Sequence, residues 1–134
     1  MPLPLQSDAF GKLLLRLTLA CLLLFHGIGK ILHPEFVEPI VKGVSAMGLP
    51  GPFAYAVYIG EVIAPLMIFL GLYARIGGLI VAVNMVFAIV LVHTAQIFTL
   101  AKSGGWALEL QGFYLLCGLV VFFLGSGRFA VKPD

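Results

Sequence analysis

The sequence predicts an all-α polytopic membrane protein: a four-transmembrane-helix bundle with a longer first extracytoplasmic loop. Three observations lead there. Of 134 residues, 61% are hydrophobic and 10% charged, with a mean hydropathy of +1.11. Soluble domains carry about 25% charged residues, so this chain has too little polar surface to coat a water-soluble globule. Four stretches are apolar over the ~20 residues that a bilayer crossing takes. The net charge of +2 is too small to argue for nucleic acid as a partner. The length suits one compact domain, residues 1–134, in contact with the lipid bilayer.

The predicted spans cover residues 11–32, 53–73, 76–100 and 106–124. Lys12 and Arg16 precede the first apolar run as they would in a signal peptide, but the run is long for one. No convincing small-x-small site precedes "FHGIGK", so an uncleaved helix is expected. Between the first two spans, "HPEFVEPIVKGVSAMGLPGP" is rich in Pro and Gly and too polar to cross. Its middle suits a short helix lying in the interface. The links "AR" and "AKSGG" are short, which makes helices two to four antiparallel to their sequence neighbours.

An even number of spans puts both termini on one side, with the link between helices two and three. That side holds Lys12, Arg16, Arg75, Arg128 and Lys132; the other holds Lys30, Lys42 and Lys102, diluted by Glu35 and Glu38. The positive-inside bias therefore places both termini in the cytoplasm of a cell inner membrane.

Sorting the polar residues of the spans by depth gives a lopsided picture. His26 and Lys30 lie in the outer third of helix one. Glu61 lies about 12 Å below the outer end of helix two. His93 and Gln96 share a face at the outer end of helix three, and Glu109 opens helix four. The inner half offers only Asn84, and Arg16 at the interface. A charge at the bilayer centre costs at least about 2.5 kcal/mol, so such groups usually face inward and pair. Glu61 is the deepest acid and Lys30 its expected partner, with His26 next. Ala56, Gly60 and Ala64 form a small-residue ridge on the same helix. Pro65 removes one backbone bond and is expected to kink it.

Each residue also has a plainer reading. Lys30 can snorkel to the surface, and Glu109 can sit among headgroups beside Trp106. His93 and Gln96 can simply hydrogen-bond a neighbouring helix, and Glu61 can belong to a purely structural ion pair. Cys21 and Cys117 fall at similar depth but form no C-x-x-C pair, and read as small apolar residues. No metal-ligand spacing, phosphate loop or nucleophile motif is present, so no metal is expected and the catalytic residues, if any, are unknown.

Three segments resemble the DoxX family. "LFHGIGKI" is similar to its stretch in which a His-Gly pair is followed by a Lys. "GEVIAPLMIFLGLYARIGGLI" resembles its second signature, a Glu early in helix two, then a Gly-Leu turn and an Arg. "ELQGFYLLCGLVVFFLGSGRFAVKPD" resembles its ending, although "FAVKPD" stands where Ser-Leu-Asp is common, so no role passes to Asp134. The likeness runs from about Leu13 to Asp134. By resemblance His26, Gly27, Lys30, Glu61, Arg75 and Glu109 are family-motif positions, Arg75 in the cytoplasmic link.

The resemblance implies a four-helix inner-membrane protein, some relatives of which are linked to quinone-dependent sulfur oxidation or to oxidoreductase and thiol-stress complexes. Three functions follow as expectations. The leading one is a membrane subunit of a redox system whose outer polar cluster binds a quinone headgroup or a small thiol or sulfur compound. A redox partner protein would supply the electron chemistry, since no covalently bound cofactor is expected. The second is a small-solute carrier, which requires polarity continuing through the inner half. The third is a non-catalytic scaffold for assembling other membrane proteins. Orientation is the first testable expectation: a reporter active only outside the cytoplasm should be silent when fused after Asp134 and active when placed near Met47. The opposite pattern would turn the polar cluster toward the cytoplasm.

Overall fold

The computed structural model describes residues 7–134. In chain order it contains α1 (Asp8–Leu32), a 3-10 turn (Pro34–Val37), α2 (Glu38–Ala46), a 3-10 segment (Gly51–Ala56) and a π turn (Ile59–Ile63). Then come α3 (Ala64–Leu70), α4 (Ala74–Val92), a 3-10 turn (Thr94–Gln96) and α5 (Glu109–Leu124). Asp8–Leu32, Gly51–Leu70 and Ala74–Val92 are long and apolar enough to cross a membrane. The 16-residue α5 is a shorter apolar helix of about 24 Å. Among the described residues β pairing is limited to two isolated bridges.

The first span begins a little earlier than its apolar run. Ser7 caps it by accepting from the Phe10 N–H at 3.1 Å, and Asp8 pairs with Lys12 at 2.8 Å. It stops at His33, before Pro34, where a proline disfavours a preceding helical residue. The second span is irregular throughout. The Ala64 N–H reaches back five residues to Ile59 O, and Pro65 has no N–H to offer the turn before it. The helical i, i+4 register is therefore broken above Gly60. Ala56 is exposed, and the expected ridge reduces to Gly60 against the Asn84 side chain and Ala64 against Gly77.

The third span ends eight residues earlier than its hydropathy suggests. His93 terminates α4, and the Thr94 hydroxyl donates to Val90 O at 2.7 Å. The chain then turns back, with Ala101 N–H donating to Gly105 O at 2.7 Å and the Trp106 indole N–H to Ile97 O at 2.7 Å. Apolar "IFTL" is thus a loop, and the link before α5 is longer than "AKSGG". Arg75 is likewise not in a link: it is the second residue of α4, the link itself being Gly71–Tyr73.

Leu19, Ala20 and Leu23 of α1, Ile68 of α3, Val81 and Met85 of α4, and Tyr114 and Val121 of α5 form the main core. Large apolar side chains such as Phe25, Phe87 and Phe123 point outward from three helices, a surface suited to lipid. Where α4 meets α5, a Cβ on Gly78 would stand 2.5 Å from the Gly118 carbonyl oxygen and the reverse would stand 2.7 Å away. Only glycine permits that approach. A second small core of Val37, Val44 and Ala54, flanked by Ile40 and Leu91, seats α2 across the end that carries Lys30. This is the short helix expected in that loop.

The opposite end is closed by Arg16, which sits inside the protein with 1% of its surface exposed, not at the interface. Its guanidinium donates to Ile68 O at 2.9 Å, Phe69 O at 3.1 Å, Ser126 O at 2.9 Å and Phe129 O at 2.7 Å. These are carbonyls left over at helix ends and in the tail. Arg75 binds Phe122 O and Phe123 O at 2.9 and 3.0 Å. The Asp134 carboxylate accepts from the backbone N–H of Arg75 and of Ser126, each at 3.0 Å. The N-terminal part of α1, the α3–α4 link and the tail therefore meet at one end. Replacing Arg16 by Lys should lower thermal stability in detergent by at least about 2 kcal/mol, because one ammonium cannot satisfy four carbonyls in a plane. An unchanged melting temperature would show that water serves those carbonyls equally well.

Candidate functional site

At the Lys30 end the fold brings a carboxylate and an ammonium together inside the bundle. Lys30 Nζ lies 2.7 Å from Glu61 Oε1, with side-chain exposures of 16% and 6%. Two local features set this contact. Gly27, one turn before Lys30, lies against the Glu61 backbone so closely that a Cβ there would overlap the Glu61 carbonyl. The π turn carries Glu61 within its widened coil, a form that often marks functional positions. The Tyr58 hydroxyl then donates to Lys30 O at 3.0 Å, tying the second span to the last turn of α1. Snorkelling is therefore not the state of Lys30, although its stem lies near enough to the end of α1 to allow it.

A cavity of about 250 Å³ opens beside this pair. His26 and Lys30 come to it from α1, Glu61 from the π turn, Met85 and Ala88 from α4 with His93 just beyond its end, and Leu110, Gln111 and Tyr114 from α5. Phe36, Pro39 and Ile40 form its roof. The His26 ring meets the Tyr114 ring edge-on at 5.8 Å. The side-chain hydrogen bonds of this region are Lys30 to Glu61, Tyr58 to Lys30 and His93 to Gln96. Among the described residues none engages His26, Gln111 or Tyr114, so the cavity holds polar groups with capacity to spare.

Four of the six residues expected in the cluster line this cavity: His26, Lys30, Glu61 and His93. Gln96 does not; it is exposed on the 3-10 turn, holding His93 Nδ1 at 2.8 Å. Glu109 does not either, being exposed at the start of α5 with its carboxylate beside Gly105. The antiparallel loop before α5 begins the helix above the cavity, so Glu109 projects outside. Sequence reasoning missed Gln111 and Tyr114. Both had a signal, since each is a polar-tipped side chain within the last apolar run, one turn apart on one face. Cys21 and Cys117 are both free thiols. Asn84 is set against Gly60, with its buried amide nitrogen unpartnered among the described residues. No cluster of three His, Cys, Asp or Glu side chains arranged to hold a metal occurs among the described residues.

The DoxX family model matches residues 11–94, which contain α1, the roof, the π turn and all of α4. The chain belongs to the DoxX family. A Bacillus subtilis (strain 168) protein named "Putative oxidoreductase CatD" is 31% identical over 128 residues, covering 96% of this chain and 89% of the relative. An uncharacterized protein of Haemophilus influenzae is 30% identical over 120 residues, covering 87% of this chain and 84% of its own. No solved structure matches significantly. Of the positions expected from the resemblance, His26, Gly27, Lys30 and Glu61 fall at one place in the fold, whereas Arg75 belongs to the closed end and Glu109 lies outside the cavity.

The Lys30–Glu61 contact is open to a double-mutant cycle. Lys30→Met strands a carboxylate at 6% exposure and should cost more than Glu61→Gln, which leaves a lysine near enough to the helix end to turn outward. The double variant should recover part of the loss, with a coupling of about 0.5–3 kcal/mol. Thermal unfolding of the four proteins in detergent measures it. Simple additivity would mean that the pair adds no stability.

Proposed function

We propose that this DoxX protein is a membrane subunit of a redox system and that the cavity at the Lys30 end receives a quinone headgroup. The single observation that carries the reading is the cavity's composition. Neutral donors with spare capacity, beside a paired ammonium, line an otherwise apolar chamber of about 250 Å³. A few placed polar groups in an apolar wall suit a small ring with carbonyl oxygens. The oxidoreductase name of the Bacillus subtilis relative, which shares most of the chain's length, supports the same class.

The donor set fits such a ring. Lys30 offers an ammonium held in place by Glu61, and Tyr114 and Gln111 offer neutral donors from α5. His26 brings ring nitrogens to the same chamber, unengaged by any described side chain. A quinone, when bound, supplies two-electron acceptance; the chain's own residues orient it and shield it from bulk water. In this reading a partner protein of the redox system delivers the electrons. A small thiol or sulfur compound is the second substrate class for the same groups.

A permeation pathway is less well supported. Arg16 and the tail fill the opposite end with bonded carbonyls, which leaves Asn84 as the polar group toward the middle of α4. In this reading the cavity faces the periplasmic side of an inner membrane, which the Lys and Arg bias supports.

The test is co-purification. Wild-type protein extracted in mild detergent should retain roughly one quinone per chain, measured in the organic extract. Tyr114→Phe removes a hydroxyl that no described protein group uses, so folding should be unaffected. Its quinone retention should fall up to about tenfold, the worth of one hydrogen bond of about 1.4 kcal/mol. No quinone in the wild type, and no thermal stabilisation by added quinone, would overturn the reading.

A further inference from the structure

A second cavity, of about 310 Å³, lies in the seam between α1 and α5. Its walls are apolar apart from Thr18, Tyr114 and Cys117, with Leu15, Leu22 and Phe113 among the lining side chains. Two observations connect it to the cavity at the Lys30 end. Tyr114 lines both, and on α1 the second cavity ends at Leu22 where the first begins at Leu23. On α1 the lining positions form one continuous helical face, Gly11, Leu15, Thr18, Leu22, His26 and Lys30, at spacings of three and four. That face is polar at one end and apolar along the rest. The seam is open because α5 packs chiefly on α4, through Gly78 and Gly118, and only lightly on α1.

We infer that the two cavities form one site for a head-and-tail amphiphile: a lipoquinone whose ring occupies the Lys30 cavity and whose hydrocarbon tail runs along the α1–α5 seam. The inference rests on the quinone reading above and adds the tail to it. The seam from Leu22 to Gly11 spans about 16 Å of helix, room for the proximal part of a long chain and more than a tailless ring needs. Charge decides between a quinone and a phospholipid. Lys30 is neutralised by Glu61 at 2.7 Å, so the cavity has no spare fixed cation for a phosphate. A neutral head with carbonyl acceptors matches the donors that remain. The tail's position follows from continuity, since a ring beside Tyr114 directs its substituent past that residue into the seam.

A benzoquinone carrying a decyl chain with a diazirine near its end tests the placement. The reconstituted protein is irradiated and the labelled peptides are mapped by mass spectrometry. A ring-only benzoquinone serves as competitor and, separately, as a thermal-shift ligand. Labels concentrated around Thr18, Phe113 and Cys117, and reduced at least about tenfold by the ring-only competitor, are the expected result. Labels in the seam that the competitor does not displace would show a groove filled by any acyl chain, and would overturn the inference. Labels spread evenly over the lipid-facing spans, with the ring-only compound still stabilising the wild type, would remove the tail and leave the quinone reading standing. No stabilisation by the ring compound and no seam labelling would overturn both. Cross-links joining two copies through the seam would assign it to self-association and overturn the inference as well.

Discussion

The Lys30–Glu61 ion pair is the constraint around which this end of the fold is arranged. Neither charge is stable alone in hydrocarbon, and a buried pair holds only when its geometry is tight. Several otherwise separate features supply that tightness. Gly27 lets α1 approach the Glu61 backbone, the π turn carries the carboxylate, and Tyr58 anchors the last turn of α1 through Lys30 O. A larger residue at Gly27 would push α1 away from Glu61 and lengthen a 2.7 Å contact in a medium where distance matters more than in water. The pair also determines what the neighbouring cavity can hold. Because the two charges cancel, the site is polar without being charged, and the donors around it favour a neutral acceptor.

The other end solves a different problem with the same physics. There the unmet groups are backbone carbonyls at the ends of α3 and α5, and the cation is an arginine whose planar fork reaches several at once. Asp134 then bridges the start of α4 and the tail by accepting from the N–H groups of Arg75 and Ser126. One end is therefore closed by a fully bonded network. The other keeps donors in reserve. That asymmetry is what the proposed binding chamber rests on: polarity is abundant at both ends, but side chains without a described partner gather at the Lys30 end.

The fold class and the ion pair were legible in the sequence because a charge inside an apolar run has few possible partners. Lys30 and Glu61 could be matched by depth alone, and α2 followed from a segment too polar to cross. Arg16 was not legible. Its partners are carbonyl oxygens, which every residue carries and no sequence pattern marks, so a buried arginine looked like an interfacial one. The end of α4 was missed for a related reason. "IFTL" is as hydrophobic as the helix before it, and the break is made by His93 and by the Thr94 hydroxyl bonding back to Val90 O. Glu109 was misplaced with it, because the extra loop lifts the start of α5 above the chamber. Tyr114 and Gln111 did not stand out because each sits within an apolar run, where a tyrosine or glutamine fits helix packing as well as it fits a cavity wall.

The packing of the four spans explains where an amphiphile can enter. Gly78 and Gly118 bring α4 and α5 into backbone contact, while Arg16 fastens α1 to the end of α3. Those contacts leave α1 and α5 far more lightly packed on each other than α4 and α5 are, and the tail joins them at the closed end. A helix pair fastened at one end and lightly packed along its length presents its weakest seam to the lipid. The same seam leads to the polar chamber past Tyr114. A ligand dissolved in the bilayer can thus reach Lys30 sideways, tail in the seam, without crossing the α2 roof or disturbing the ion pair. A water-soluble ligand would come instead past Phe36, Pro39 and Ile40. A ligand with a hydrocarbon tail has the seam as well, and that favours entry from the membrane.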